Sequence, residues 1–550
     1  MRVLPPLLVV VTALAAAWPV LGNYFYADDF ANLVELANYG PRDFLIAPAA
    51  GHMYIVRNAV FYLSFRLLGM EPTGYFVIAL ATHVANVLLL YAVVRRLTGS
   101  TPLALLGAML FGGSPVSAGT LGWYSVYGHA LGTTFALGAA LFVVPRPGDP
   151  PGLGTRAAVA AACCMLAASQ CFGTATGVAV IFPLVAVLLR PAAFRSAGTA
   201  AALVAVPVLV LAAWFVMHAY RTRLNPWGTV SLEGLLILAS DWRDVIWMTV
   251  HIFALGVVSL VLGGAYSLSR YPDVISIGSL VAFAVAVAAS LRAGWARARA
   301  LIAFLASALA CYAAVAAGRA GLYAALAPKT LLQVYAAATR YHYLAQAWLS
   351  VVVCLVLAEA DRRLPLPARF KLLLVCGWGA WAAASGVLLR PSVDHFAADR
   401  ARVTAAWDRI VQQIRHAPTG STVCLPVEPA PVALGFPGSL GIFMLFNRTD
   451  EVERRRVRFV SSDPKLLARR DAGGRMQQLL LPDDECPQRD GHVSDGLPVR
   501  AVRRRGYVRL PEPCARGTLE RAFGPAQDTR LRPGPQHSDS SRRRGTCNRG

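Results

Sequence analysis

Charge is scarce in this chain: only 15% of its 550 residues are Asp, Glu, Lys or Arg. With 56% hydrophobic residues and a mean hydropathy of +0.50, that scarcity excludes a soluble globular enzyme and makes the bilayer the solvent to assume. Acids are scarcer than bases, 30 against 52. The resulting +22 invites nucleic acid as a partner, but much of the excess lies in short clusters between apolar runs, as expected of cytoplasmic loops, so no nucleic acid is expected. Lysine is almost missing; Lys329, Lys371 and Lys465 are the three, a bias of the kind a GC-rich genome imposes. The ten cysteines show no metal-ligand spacing, and no repeat of solenoid length occurs. No Gly-rich loop of the P-loop or Rossmann type occurs either, which removes the usual signature of a bound nucleotide.

What is present is a succession of apolar runs of about 15 to 20 residues, the length a helix needs to cross hydrocarbon. They read as spans at Leu4–Leu21, Tyr75–Val94, Pro102–Ala118, Ala130–Val144, Ala157–Phe172, Gly173–Leu189, Ala200–Ala219, Val245–Leu262, Val274–Leu291, Ala300–Ala317, Tyr343–Leu357 and Leu372–Leu389. The first run is an uncleaved helix or, since Ala15–Ala17 offers small residues, a cleavable signal. Basic clusters at Arg95–Arg96, Arg146 with Arg156, and Arg190 with Arg195 put the N-terminus in the cytoplasm. Alternation then fails, because the runs at 245–262 and 274–291 place Arg292, Arg297 and Arg299 on the wrong side. A half-span or re-entrant segment around Leu232–His251 would repair it, giving about 11 or 13 spans. The expected fold is therefore an α-helical polytopic membrane protein of the plasma (inner) membrane, with a first outer loop at 23–74 and the C-terminus outside.

The transmembrane module ends near residue 390. A small extracytoplasmic α/β domain is expected over 391–524, with a helix at Ala397–His416 and strands at Ser421–Val427, Ile442–Phe446 and Val457–Val460. Residues 525–550 are rich in Pro, Gly, Ser and Arg and read as a disordered basic tail. Six cysteines lie in apolar runs and read as packing. Cys424, Cys486, Cys514 and Cys547 lie in the outer region, where disulfides are permitted.

Chemistry-bearing residues gather near the outer ends of the runs. Tyr24-Phe25-Tyr26-Ala27-Asp28-Asp29-Phe30 sets two adjacent carboxylates among aromatics at the water–hydrocarbon boundary. Desolvation there raises a carboxylate's pKa and a neighbouring Arg or metal lowers it, so a base can be tuned; the same residues also suit a solvated loop or helix cap. His83 and Asn86, three apart, share a helix face that suits either an interhelical contact or a substrate group. His129 is placed to line the same cavity as Tyr124, or to serve as an interfacial imidazole. Arg340-Tyr341-His342-Tyr343 precedes a late span on the side of Asp28. Arg340 and His342 there suit a lipid-linked phosphate or an interfacial anchor.

The order of a first helix, Asp28-Asp29-Phe30, a loop with Gly51-His52-Met53-Tyr54 and Arg57, and a helix with His83-Val84-Ala85-Asn86 resembles the GT-C superfamily of polyprenyl-phosphate-sugar-dependent glycosyltransferases. The likeness continues through Phe111-Gly112-Gly113-Ser114-Pro115-Val116 and Trp123-Tyr124-Ser125, as in its bacterial and TMTC-like branches, and covers residues 1 to 145. Two positions depart from it: Arg57-Asn58 stands where Arg-Pro is usual, and Tyr127-Gly128-His129 where an Arg often follows the Trp.

The resemblance implies a GT-C-like fold and an inverting sugar transfer at the outer face from a polyprenyl-phosphate-linked donor to a glycan, lipid or protein acceptor. Asp28 or Asp29 would be the base, with Arg340, His52 or Arg57 at the leaving phosphate. No cofactor is required in all branches; in some, the acids help hold a divalent cation, Mg or Mn. A flippase or transporter with His83 and Asn86 along its path, and an O-antigen polymerase or ligase, are the alternatives. The flippase would be expected to show the repeat symmetry that the chain lacks.

Overall fold

The computed structural model describes residues 4–26, 28–29, 32–33, 36, 41–46, 54–69, 71–146, 149–224, 242–262, 273–292, 294–324, 338–364 and 367–393, with three short strands beyond. Every described residue belongs to one compact unit, Met1–Pro487.

The helices follow the apolar runs. They are α1 (Leu4–Ala17, extended by a 3-10 turn over Trp18–Gly22), α2 (Pro41–Ile46), α3 (Ile55–Leu68), α4 (Pro72–Thr98), α5 (Thr101–Gly112) and α6 (Ala118–Leu121). Then come α7 (Gly128–Val143), α8 (Thr155–Ser169), α9 (Gly173–Leu189), α10 (Ala197–Leu224), α11 (Trp242–Leu262), α12 (Asp273–Leu291), α13 (Trp295–Ala324), α14 (Tyr343–Arg363) and α15 (Ala368–Val393). Local chemistry sets the boundaries. Gly99, at φ +69°, ends α4 in the left-handed conformation that a glycine adopts without strain. Ser100 then caps α5 by accepting from Leu103 N, with Pro102 in the first turn, where its missing N–H costs nothing.

Among the described residues, six helical segments are long and apolar enough to cross a membrane: Leu4–Gly22, Pro72–Thr98, Tyr124–Val143, Ala197–Val216, Arg297–Gly318 and Thr339–Arg363. A seventh is formed if the broken pair Thr101–Gly112 and Pro115–Leu121 is one span, and four apolar helices are shorter. The protein is a multi-pass membrane protein.

One expectation changes. The run at Pro102–Ala118 is not a straight helix but bends by 43° between Gly112 and Pro115. Pro115 has no N–H to offer the Phe111 carbonyl four residues back, and at the bend the Gly112 carbonyl accepts from His83 Nε2 at 3.2 Å. Of the half-span or re-entrant segment expected around Leu232–His251, residues 242–251 belong to the helix α11; residues 225–241 lie outside the described ones. Arg297 lies at the basic end of the bundle, as a miscounted span before α13 requires. Arg297 pairs with Glu359 near the end of α14, so it shares an end of the bundle with Arg362 and Arg363, as the charge rule requires. At 1.5 Å per residue the 21-residue α14 spans about 30 Å, the hydrocarbon thickness, which sets that end opposite Tyr343 and its neighbour Arg340.

Past the helices, β1 (Val423–Pro426), β2 (Val457–Ser461) and β3 (Leu480–Pro482) form a parallel sheet in that order, with Val423 opposite Val457 and Phe459 opposite Leu480. β1 lies within the first expected strand and β2 overlaps the third, whereas β3 has no counterpart in the sequence reading. The expected helix at 397–416 and strand at 442–446 lie outside the described residues.

Candidate functional site

The site is built where α1 gives way to its loop. Asp29 is fully buried, and its carboxylate accepts from three donors: Tyr26 N at 2.9 Å on one oxygen, Ser125 N and Ser125 Oγ at 2.5 Å on the other. Tyr26 O in turn accepts from Asp29 N at 2.9 Å, closing a tight turn. Ser125 joins further partners. Its Oγ accepts from Asn32 Nδ2 at 2.9 Å, and its carbonyl accepts from Arg57 Nη2 at 2.8 Å.

Arg57 lies in the first turn of α3, buried, with its guanidinium against the rings of Tyr54 (5.3 Å) and Phe61 (5.0 Å). Its Nη1 reaches Asn32 Oδ1 at 2.8 Å and Asn58 Oδ1 at 2.7 Å, and Asn58 Nδ2 holds the Phe44 carbonyl at 2.9 Å. One arginine thus ties together the loop after α1, the end of α2, the start of α3 and the turn before α7. Asn32 closes the frame by donating to the Asp28 carbonyl at 2.6 Å. The Asp28 side chain is exposed.

Burial pushes the Asp29 carboxyl up to about 7, against the pull of its hydrogen bonds from Ser125 and Tyr26, and the neighbouring Asp28 charge adds to the rise. The two aspartates therefore have different surroundings: one buried and bonded on both oxygens, one exposed.

Arg340 comes to this end of the bundle from far along the chain. It sits in a 3-10 turn (Thr339–His342) before α14, half buried, with its guanidinium 5.4 Å from the Trp123 ring and 4.7 Å from the Tyr341 ring. Trp123 meets Tyr26 edge-on at 5.7 Å, so Tyr26, Trp123 and Arg340 form a continuous line from the acidic loop to the guanidinium. The Arg340 turn rests on α6. A Cβ at Gly119 would run into Thr339 Oγ1 and stand 3.1 Å from Arg340 N, so this close approach requires glycine.

The other candidate residues are placed differently. His52 lies outside the described residues. Tyr124 is buried in an aromatic cluster with Phe61, Tyr75 and Tyr127, its hydroxyl 3.0 Å from Ser64 Oγ, and so supports the site from beneath rather than lining it. His129 is buried against Phe172, with Nδ1 3.1 Å from Thr174 Oγ1. His342 is buried, its Nδ1 3.0 Å from Tyr312 OH on α13.

His83 and Asn86 form an interhelical clasp. The Gly112 carbonyl can only accept, so His83 Nε2 carries the proton and Nδ1 accepts from Tyr343 OH at 2.7 Å. Asn86 Nδ2 donates to Tyr343 OH at 3.3 Å and to Ala130 O at 2.8 Å, while Asn86 Oδ1 accepts from Thr134 at 2.7 Å. Both ring nitrogens and both amide atoms are thus engaged by partners on three other helices.

Sequence reasoning missed Asn32 as part of the site, and quoted Trp123 and Ser125 without a role. Nothing local marks residue 125 as the partner of residue 29. Among the described residues, no group of three His, Cys, Asp or Glu gathers as metal ligands would.

No family model and no curated protein matches the chain. Two solved structures are similar to it: ArnT from Cupriavidus metallidurans bound to undecaprenyl phosphate, at 14% identity and a TM-score of 0.40 over 86% of this chain and 89% of that one, and the same protein in the apo state, at 15% identity and a TM-score of 0.37 over 87% and 89%.

Proposed function

We propose that this protein is a membrane glycosyltransferase that moves a sugar from a polyprenyl-phosphate-linked donor to an acceptor at the Asp28 end of the bundle, the end that the charge bias assigns to the outside. The observation that carries this reading is the pairing of an exposed carboxylate on a rigid frame with a guanidinium at the same end, linked through Tyr26 and Trp123. The resemblance of residues 1 to 145 to the GT-C superfamily supports it independently.

Asp28 is the base in this reading. It takes the proton of an acceptor hydroxyl as the oxygen forms its bond to the anomeric carbon; the bond from that carbon to the phosphate oxygen breaks, and its electron pair leaves with the phosphate. Arg340 meets the charge that grows on the departing phosphate, because a guanidinium can donate to two phosphate oxygens at once. Asp29 is a positioning residue. Its oxygens are engaged by Ser125 and Tyr26, and it holds the turn from which Asp28 projects. Arg57 has the same kind of role, since its guanidinium is spent on Asn32, Asn58 and Ser125 rather than on a substrate. The flippase alternative loses its polar path, because His83 and Asn86 are clasped between helices.

The test is sugar transfer from a polyprenyl-phosphate sugar by the protein in detergent or vesicles. Asp28→Asn is expected to lower turnover by about 10²–10⁴ with folding intact. Unchanged transfer in that variant, beside a wild type that transfers, would remove Asp28 from the base's role.

A further inference from the structure

The end of the bundle opposite Asp28 carries an ion-pair cluster that sugar transfer does not use. Glu359, buried near the end of α14, is met by Arg297 Nη1 at 2.8 Å, by Arg363 Nε at 2.8 Å and by Arg362 Nε at 3.8 Å. All three guanidiniums are about half exposed. One carboxylate cannot balance three cations. Asp361 is the other acid on this stretch of α14, while Arg292 and Arg299 add two more guanidiniums at the α12–α13 junction. The charge at this end is therefore in excess by more than a closed structural network needs.

The cluster is also held in a way that leaves it able to bind. Glu359 takes Arg363 by its Nε, and the Ala358 carbonyl takes Arg362 by its Nε at 3.2 Å. A guanidinium anchored through Nε still presents two Nη groups, the pair that chelates phosphate oxygens. Trp295 opens α13 two residues before Arg297 and is 68% exposed; Leu364 follows Arg363 directly and is 70% exposed. Exposed tryptophan and leucine beside a cationic cluster, at the end of two spanning helices, mark the boundary between headgroups and hydrocarbon. A free anion would have no use for them.

We infer that this end of α13 and α14 binds the headgroup of an anionic glycerophospholipid, its phosphodiester held by Arg362, Arg363 and Arg297 and its chains against Trp295 and Leu364. The excess positive charge selects an anionic over a zwitterionic headgroup. Nothing in this site touches Asp28 or Arg340, so it stands whether or not the protein transfers sugar.

The experiment is native mass spectrometry of the full chain released from detergent containing equal amounts of phosphatidylglycerol and phosphatidylcholine. The wild type is expected to retain phosphatidylglycerol preferentially, and an Arg362→Gln/Arg363→Gln variant to retain about tenfold less, equivalent to some 1.4 kcal/mol. Arg362→Gln alone leaves the two 2.8 Å pairs of Glu359 in place, so it reports on binding if the double variant fails to fold, and it too is expected to lose lipid. Equal retention of the two lipids, retention unaffected in Arg362→Gln, or displacement of phosphatidylglycerol by inorganic phosphate at matched concentration would each overturn the proposal.

Discussion

Two of the buried polar networks among the described residues differ in where they end. At the loop after α1, Asp29, Ser125, Asn32 and Arg57 bind one another and finish on Asp28, whose side chain is exposed. Deeper in the bundle, Asn86, Tyr343 and His83 bind one another and finish on the Gly112 carbonyl, inside the protein. Both solve the same problem, since a polar group away from water must be hydrogen-bonded. The first uses the solution to hold the proposed base at a surface. The second uses it to repair the helix break before Pro115. Burial and hydrogen bonding are common to both, so neither marks out the proposed base; the exposed end of the chain of contacts does.

Substitutions at each network should separate these roles. After Asp28→Asn, the largest expected effect is on the partner of the first network: Arg340→Gln should lower turnover by about 10²–10³ while leaving the thermal midpoint near that of wild type, because it removes the charge proposed to act on the leaving phosphate. Steady-state transfer and differential scanning fluorimetry on the same sample check both halves. A drop in stability with turnover per folded molecule preserved would make Arg340 a strut like Arg57.

His83→Leu should do the reverse. It leaves the Gly112 carbonyl and Tyr343 hydroxyl without their ring partner, at a cost of about 1 kcal/mol per bond in a membrane bundle, and turnover per folded molecule should hold. Unfolding in a detergent titration measures the first and transfer assays the second. If turnover fell while stability stayed constant, the contrast between the two networks would fail.

The smallest effect concerns pH. The folded-state pKa of Asp29 is raised to about 7 from an ordinary value of 3.8, so the folded protein binds this proton more readily than the unfolded chain. The cost of burying the ionised carboxylate is therefore present above pH 7 and disappears as pH falls through 7 towards 4. Acidification over that window should raise the thermal midpoint through this group, and Asp29→Asn should flatten that part of the profile. Protonation also removes an acceptor that Ser125 and Tyr26 need, so transfer is expected to decline over the same window in which stability rises. A midpoint that falls from pH 8 to pH 5 equally in wild type and Asp29→Asn would contradict the burial of an ionisable Asp29.

Much of the architecture was legible before any coordinates. Gly173–Leu189 was expected and observed with the same bounds, because apolar length and the basic residue after it act locally. The break at Gly112–Pro115 was not anticipated, since a proline near the end of an apolar run can equally mark its end. β2 overlaps its expected strand, but the parallel order of the sheet depends on pairings across more than twenty residues.

The sequence by itself determined that the chain crosses a membrane several times and that Asp28, Asp29 and Arg340 lie near the ends of apolar segments, because hydropathy and charge are sums over neighbouring residues. Only the tertiary structure decided that the two adjacent aspartates are unlike. Their identities and local sequence are nearly the same; what separates them is Ser125, 96 residues on from Asp29, whose N–H and hydroxyl both turn to that carboxylate while Asp28 is left facing out. Burial and long-range hydrogen bonding depend on which surfaces meet, and no property of residues 28 and 29 alone contains that.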